Sequence, residues 1–199
     1  MRKAVTEAYY RENAVAYAET TAGLLPEVAL RHFTVALPPP ARLLDAGCGC
    51  GRDTHWFRQR GYDVDAFDAC PELAAEAMLR FDVPARVASM LDLEGVGFVD
   101  GVWASASLVH MPPSTAAEAL RRLARALTPG GVLYASVKEG SGPGIDTMGR
   151  SFHYWPAHEF VAAVLAAAPG LTLLETWTNP ATLDPKGAGF VNVLVRAAP

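Results

Sequence analysis

The stretch Leu43-Leu44-Asp45-Ala46-Gly47-Cys48-Gly49-Cys50-Gly51-Arg52-Asp53 constrains this 199-residue chain more than any other. An apolar run ending in a carboxylate reads as a buried strand, and Gly47, Gly49 and Gly51 let the backbone turn tightly after it. Arg52 to Arg60 then carries helix-forming and bulky residues, so the loop opens into a helix. Strand, glycine turn and helix N-terminus together place free N–H groups and a positive dipole end beside a ligand. Nucleotide-like cofactors bind in such places.

Spacing says more than the glycine count. The dinucleotide fingerprint G-x-G-x-x-G needs a third glycine where this chain has Arg52, and the pattern here is Asp-x-Gly-x-Gly-x-Gly. Asp63 to Asp68 (DVDAFD) reads as the next strand. Asp68 lies about 20 residues beyond the glycines, the distance at which a βαβ unit delivers an acid to a ribose. Together the two features point to an adenosine-bearing cofactor.

The remaining segments alternate. Thr6 to Thr21 and Glu27 to Leu37 read as helices, closed by Pro38-Pro39-Pro40 as a stiff linker. Pro71 starts a helix running to Phe81, Arg86 to Ala88 is a short strand, and Gly101 to Ala104 is the fourth strand. Ala116 to Leu127 is strongly periodic, Thr128-Pro129-Gly130-Gly131 ends that helix, and Val132 to Val137 is the fifth strand. Such alternation implies right-handed βαβ crossovers and a parallel sheet. After a helix from Ala157 to Ala167, the strands Leu171 to Thr178 and Phe190 to Arg196 have no helix between them and would pair antiparallel. The expected organisation is one domain: residues 1–40 form a helical segment over the cofactor site, and 41–199 the sheet core.

Composition narrows the partners. Hydrophobic residues at 51% and charged ones at 19% suit a buried parallel sheet between helices. A net charge of −4 argues against nucleic acid as a main partner. Neither a signal peptide nor an apolar run of membrane-spanning length is present, so the expectation is a soluble cytoplasmic protein. The odd count of 3 cysteines suggests free thiols, and Cys48, Cys50, His55 and Cys70 lack a zinc spacing, so no metal is expected.

The stretches LLDAGCGCGRD, DVDAFDACPEL, DGVWASASLVHMP and LTPGGVLYASVKEG resemble successive landmarks of the class I S-adenosylmethionine (SAM)-dependent methyltransferases. They are most similar to the small stand-alone group loosely related to tellurite and thiopurine methyltransferases. The resemblance implies a Rossmann-like α/β fold, doubly wound, with a seven-stranded, mostly parallel sheet whose last strand is antiparallel and helices on both faces. It also implies methyl transfer to a small-molecule acceptor with release of S-adenosylhomocysteine (SAH), by a monomer or homodimer.

Residue roles follow from the same resemblance. Asp45, with backbone groups of Gly47 and Gly49, would hold the cofactor's ammonium, Ala46 and Cys48 would also line the cofactor, and Arg52 offers a planar fork to its carboxylate. Asp68 would accept both ribose hydroxyls, with Ala69 and Cys70 beside the adenine. Met90 and Leu91 would flank the ring, Asp92 would receive the exocyclic amine, and Ala104 and Ser105 would face the methionine portion. Tyr9, Tyr10 and Tyr17 either pack on the sheet edge or form a lid, in which Tyr10 meets the cofactor and Tyr17 the substrate. His110 is the candidate general base if the acceptor must lose a proton, or else a structural histidine bonded to a loop. Lys138, Arg150, His153 and Tyr154 lie at or beyond the end of strand five as acceptor-side candidates, under a mobile cover suggested by the glycines from Gly140 to Gly149. Lys138 either meets an anionic acceptor or pairs with Glu139 or Asp146.

Trp56, Phe57 and Trp103 read as core, Trp155 and Trp177 as flanking acceptor-side loops, and Arg121, Arg122 and Arg125 as a solvated helix face. Two other functions compete. One is a SAM-binding regulatory or scaffold protein, because no acceptor-side motif is diagnostic: Ala104-Ser105-Ala106-Ser107 stands where amino-methylating nucleic-acid enzymes carry Asn/Asp-Pro-Pro-Tyr/Phe. The other is a nicotinamide-dependent dehydrogenase, disfavoured by Arg52.

Overall fold

In a computed structural model, the described residues are 2–93, 97–180 and 188–199. The chain runs α1 (Arg2–Thr21), α2 (Glu27–Ala36), β1 (Arg42–Ala46), α3 (Arg52–Arg58), β2 (Asp63–Asp68), α4 (Pro71–Phe81), β3 (Arg86–Val87), β4 (Val99–Ala104) and α5 (Pro113–Arg125). It continues through β5 (Leu127–Lys138), β6 (Gly142–Ile145), β7 (Ser151–Tyr154), α6 (Ala157–Leu165), β8 (Thr172–Asn179) and β9 (Phe190–Arg196). Seven strands form one sheet in the order β3-β2-β1-β4-β5-β9-β8. The pairs among β1 to β5 are parallel, and β9 runs antiparallel to both β5 and β8.

The strand order reverses beside β1, where β2 leaves on one side and β4 on the other. At such a switch point the loops part and open a crevice at the carboxyl ends of the strands. Register fixes what lines it: Asp45 pairs with Ala66 and Trp103, so the glycine loop and Asp68 leave the sheet side by side.

Two apolar layers hold the sheet. One face buries Phe33, Phe57, Trp103 and Tyr134 against α2 and α3, with the Trp103 and Tyr134 rings stacked at 4.1 Å. The other buries Leu120, Leu123, Phe160 and Val164 from α5 and α6. Trp56 is half-exposed under the Arg60 guanidinium at 3.7 Å, Trp155 is buried, and Trp177 lies on β8 against His32 and Tyr134.

Three local departures from the sequence reading have physical causes. First, α1 begins at Arg2 and kinks at Asn13, whose Nδ2 donates to the Tyr9 carbonyl at 2.9 Å, the acceptor four residues back that a helical amide would use. Second, Thr128 to Gly131 belongs to β5, because the chain end clamps it: Gly130 N donates to Ala198 O at 2.9 Å and Ala197 N to Gly131 O at 2.8 Å. Third, the glycine-rich segment read as a mobile cover is the hairpin β6–β7. Asp146 organises its turn by accepting from Met148 N and Arg150 N, and the hairpin is tied to the sheet through Trp155 N to Lys138 O at 2.9 Å and His153 N to Val109 O at 2.9 Å.

Candidate functional site

The glycine loop spends its amides on itself and on β2. Gly47 N and Cys48 N both donate to Phe67 O, at 2.9 and 3.0 Å, and Gly51 N donates to Cys48 O at 3.0 Å. Gly49 N donates to Asp68 Oδ2 at 2.8 Å, and Cys70 N donates to Asp68 Oδ1 at 2.8 Å. The expected row of open amides is therefore corrected: these N–H groups fix the loop and aim one carboxylate. Burial raises the Asp68 pKa, against the pull of the Cys70, Gly49 and Ala69 amides.

Close packing fixes the loop's path. Gly47 has φ +79°, and a Cβ there would lie 2.6 Å from Ser107 Cβ and 3.1 Å from Met90 Cε. Ser107 Oγ is buried and has no hydrogen-bond partner among the described residues. Ala106 and Ser107 entered the sequence reading only as part of a missing motif, yet Ala106 adopts φ +51°, a region L-residues seldom enter, and its N donates to Ser136 Oγ at 2.8 Å. A run of small residues leaving a central strand was the available signal.

A second cluster lies beneath the loop. Asp45 is 2% exposed and accepts from Thr54 Oγ1 at 2.5 Å. Burial, with the Asp53 charge adding to it, pushes the Asp45 carboxyl up to about 8. Arg52 closes its fork on Asp53, Nε to Oδ1 at 2.6 Å and Nη2 to Oδ2 at 3.0 Å, and Trp103 Nε1 donates to the same Oδ2 at 2.9 Å. The fork expected to meet a cofactor carboxylate is thus turned inward, with Nη1 3.4 Å from Thr21 O on α1. Asp53 went unassigned in the sequence because an acid in a helix's first turn is ordinarily a solvated dipole partner.

The other cofactor candidates spread around this loop. Ala46 is the buried last residue of β1, and Ala69 is exposed beside Asp68. The Cys48 side chain turns toward Ala66, Ala77 and Val83, and burial raises its thiol pKa well above the usual range. Cys70 Sγ donates to Glu72 Oε2 at 3.3 Å, and its thiol is also raised, chiefly by burial. Met90 is buried, Leu91 N is taken by Ser89 Oγ at 3.2 Å, and Asp92 is exposed. Ala104 is fully buried at the end of β4, Ser105 is half-buried, and the Tyr134 hydroxyl donates to Asn192 Oδ1 at 2.7 Å. Among the described residues no group of three or more His, Cys, Asp or Glu is placed to hold a metal ion.

The acceptor-side candidates converge on one cluster. His110 Nδ1 lies 2.6 Å from Ser151 O, a carbonyl that can only accept, so Nδ1 carries the proton. Nε2 is then bare and accepts from Tyr10 O–H at 2.8 Å, while Arg150 Nη1 donates to the Tyr10 oxygen at 3.3 Å. Burial, with Arg150 and Lys138 acting in the same direction, lowers the His110 pKa to about 4. Tyr10 and Tyr17 meet edge to face at 5.1 Å, and burial raises both phenols. Arg150 puts Nε and Nη2 on Asp146 Oδ2, at 2.9 and 2.7 Å, so the Asp146 considered as a Lys138 partner serves Arg150. Phe152 lies between cations, 4.0 Å from Lys138 Nζ and 5.3 Å from the Arg150 guanidinium. The half-buried Tyr154 has its ring 6.2 Å from Phe152, whereas His153 packs on Trp155.

Helix α1 closes over both clusters. Thr6 Oγ1 accepts from Ser151 N at 3.0 Å, Tyr9 O–H points to Met148 Sδ at 2.9 Å, and Thr21 Oγ1 is 3.9 Å from Cys50 Sγ. No helix among the described residues is long and apolar enough to cross a membrane.

Residues 43–131 match the family described as a methyltransferase domain. A ubiquinone biosynthesis O-methyltransferase of Xanthomonas axonopodis pv. citri (strain 306) is 38% identical over 120 residues, which are 56% of this chain and 49% of that protein. The chain therefore spans about half the length of the curated relatives it matches. The crystal structure of the Burkholderia thailandensis 1,6-didemethyltoxoflavin-N1-methyltransferase, with 1,6-didemethyltoxoflavin and SAH bound, superposes with a TM-score of 0.76 at 25% identity, covering 99% of this chain and 89% of that one. Magnesium protoporphyrin IX methyltransferase from Synechocystis PCC 6803 with bound SAH gives 0.77 at 14% identity over 98% and 100% of the two chains, a likeness of fold.

Proposed function

We propose that this chain, a member of the class I SAM-dependent methyltransferases, transfers a methyl group from SAM to a small-molecule acceptor and releases SAH. The observation that carries this is the Asp68 carboxylate, held by two amides beside the glycine loop at the switch point of the sheet. The site's chemistry fits SAM. Asp45 is a buried carboxyl suited to an ammonium, Asp68 is an aimed acceptor suited to ribose hydroxyls, and Ser107 Oγ is a buried hydroxyl beside Gly47 that lacks a partner among the described residues.

When bound, SAM supplies an activated sulfonium methyl, with the C–S electron pair remaining on sulfur as the methyl passes to a nucleophile. The protein's own part is placement and exclusion of water. In this reading Asp45 and Asp68 grip the two polar ends of the cofactor and the Met90 and Leu91 segment flanks its ring. Residues 1–40 cover the site, with Tyr10 and Tyr17 on its inner face. The domain acts in the cytoplasm as a monomer or homodimer, on a small molecule and not on nucleic acid. Aromatic acceptors head the candidates, since the Xanthomonas relative is named for ubiquinone biosynthesis and the Burkholderia structure holds 1,6-didemethyltoxoflavin.

SAH formation from SAM, followed across a panel of hydroxylated and N–H heteroaromatic compounds, tests the activity. Acceptor-dependent SAH release is expected, and a chain that binds SAH yet releases none with any acceptor is no catalyst of this kind.

The buried Asp45 makes cofactor binding depend on pH. In the free chain it keeps its proton up to about pH 8, since burial and Asp53 penalise the carboxylate while Thr54 and Arg52 oppose that only in part. An ammonium favours the charged form, so its pKa falls on binding and a proton leaves. Affinity for SAH is expected to rise by up to about tenfold per pH unit toward neutrality and to level off above about pH 8. Calorimetry in buffers of different ionisation heat reads the released proton, and Asp45→Asn should abolish both effects. A pH-independent affinity would count against an ammonium at Asp45.

A further inference from the structure

We propose that the acceptor is a planar aromatic anion, taken up already deprotonated, with Lys138 as its charge partner and the Arg150–Asp146 pair beside it. His110 is then a positioning residue for Tyr10 and does not take a proton. This rests on the methyltransferase reading and narrows its substrate class.

Proton accounting is the first ground. Both His110 nitrogens are engaged: Nδ1–H on Ser151 O, and Nε2 by the Tyr10 hydroxyl, which in turn receives Arg150 Nη1. To take a proton from an acceptor, His110 would have to release Tyr10 and become a third cation beside Lys138 and Arg150. Asp146 is the anion near it, and Arg150 already occupies that carboxylate with two donors. Tyr10 is no better placed as a proton acceptor, because it is buried and faces Tyr17 and, more weakly, Asp68.

Charge accounting is the second. A neutral O–H or N–H acceptor leaves a proton to be removed after it takes the methyl. An anionic acceptor gives up its charge in forming the new bond to carbon, and no proton is left behind. Neutralising a cation and an anion is favoured in a desolvated site, where separated charges are costly.

The walls are the third ground. Tyr9, Tyr10, Phe152 and Tyr154 surround the two cations, with the Arg150 guanidinium 4.9 Å from the Tyr9 ring and the Lys138 ammonium 4.0 Å from the Phe152 ring. The cations lie over these ring faces, so the wall is aromatic and positive together, which favours an anion with a flat apolar body over an aliphatic alcohol. A carboxylate, a phenolate and a deprotonated ring nitrogen share this chemistry.

Calorimetric titration of the SAH-saturated full chain tests it with two matched pairs, benzoate against benzamide and 4-nitrophenolate against 4-nitroanisole. At least one anion is expected to bind about tenfold or more tightly than its neutral partner, the size of a charged hydrogen bond. Benzoate winning identifies a carboxylate acceptor, and 4-nitrophenolate winning a phenolate-like one. Lys138→Met should remove the preference and Lys138→Arg restore it, with thermal melts checking that each variant folds. In the same complex, nitrogen NMR of His110 should show the neutral Nδ1–H tautomer with and without the anion at neutral pH. Equal binding of the pairs, no binding of either anion at millimolar concentration, an undiminished preference in Lys138→Met, or protonation of His110 on anion binding would overturn the inference. Failure of SAH itself to bind would instead overturn the methyltransferase reading.

Discussion

Changing Asp68 to asparagine is expected to weaken SAH binding by roughly a hundredfold, from two charge-assisted bonds at about 1.5–3 kcal/mol each less what a neutral amide recovers. Both partners that hold Asp68 in the free chain are donors, Gly49 N–H on Oδ2 and Cys70 N–H on Oδ1. A carboxylate accepts on both oxygens, whereas the asparagine amide accepts on one and opposes the other N–H with a donor of its own. The side chain must then turn, and it no longer presents a charged acceptor to the ribose. Asp68→Ala should bind more weakly still. It should also cost stability, since two partly buried amides lose their acceptor, each worth up to about 1 kcal/mol. Calorimetry gives the affinity and thermal melting the stability. Near-normal SAH binding by Asp68→Asn would remove Asp68 from the site.

Gly47→Ala is expected to destabilise the chain by about 2–5 kcal/mol through two separable costs, a left-handed φ for an L-residue and overpacking. Its φ is +79°, and the new methyl would meet Ser107 Cβ at 2.6 Å, a contact neither backbone can easily relieve. Ser107→Gly in the Gly47→Ala background should return the packing part and leave the backbone part. Gly49→Ala is the internal control: it has φ +57° with no described residue within 4 Å of its Cβ, so it pays only the smaller backbone cost, about 1–2 kcal/mol. Melting temperatures in the order wild type, Gly49→Ala, Gly47→Ala are expected, with the double variant above Gly47→Ala. A Gly47→Ala protein as stable as wild type would contradict the packing described for the loop.

How far the sequence could be read depended on the range of the interactions involved. Patterns set by the backbone itself were legible: the apolar run into Asp45, the glycine spacing, Asp68 at the end of β2, and the antiparallel pairing of the two final strands. These follow from strand burial and chain connectivity, which leave period and punctuation in the residues. The hairpin β6–β7 was missed because its glycines were read as mobility and its Asp146 was weighed only as a partner for Lys138. Yet an aspartate four residues before an arginine, with a glycine between, can organise a turn by bonding two amides and a guanidinium at once.

The fate of hydrogen-bond donors was not legible at all. Nothing in Gly47-Cys48-Gly49 says that the Phe67 carbonyl and the Asp68 carboxylate consume their amides, since those partners arrive from the neighbouring strand. Arg52 was likewise read as an open fork, although the residue beside it closes that fork once Trp103 fixes Asp53 from across the sheet. The Arg150–Tyr10–His110–Ser151 chain unites α1, the segment after β4 and the hairpin. Its sequence separations of 140, 100 and 41 residues leave no periodic trace.

The central claim is that an adenosine cofactor seats on Asp68 at the glycine loop, and amide NMR during titration with SAH tests it most directly. The Gly49 and Cys70 N–H signals report on the carboxylate they hold, and Ser107 reports on the opposite wall. These signals should shift together and saturate at one equivalent of ligand, while the edge strand β8 stays unchanged. Saturating SAH that leaves Gly49 and Cys70 unmoved, or shifts confined to another part of the sheet, would contradict the account.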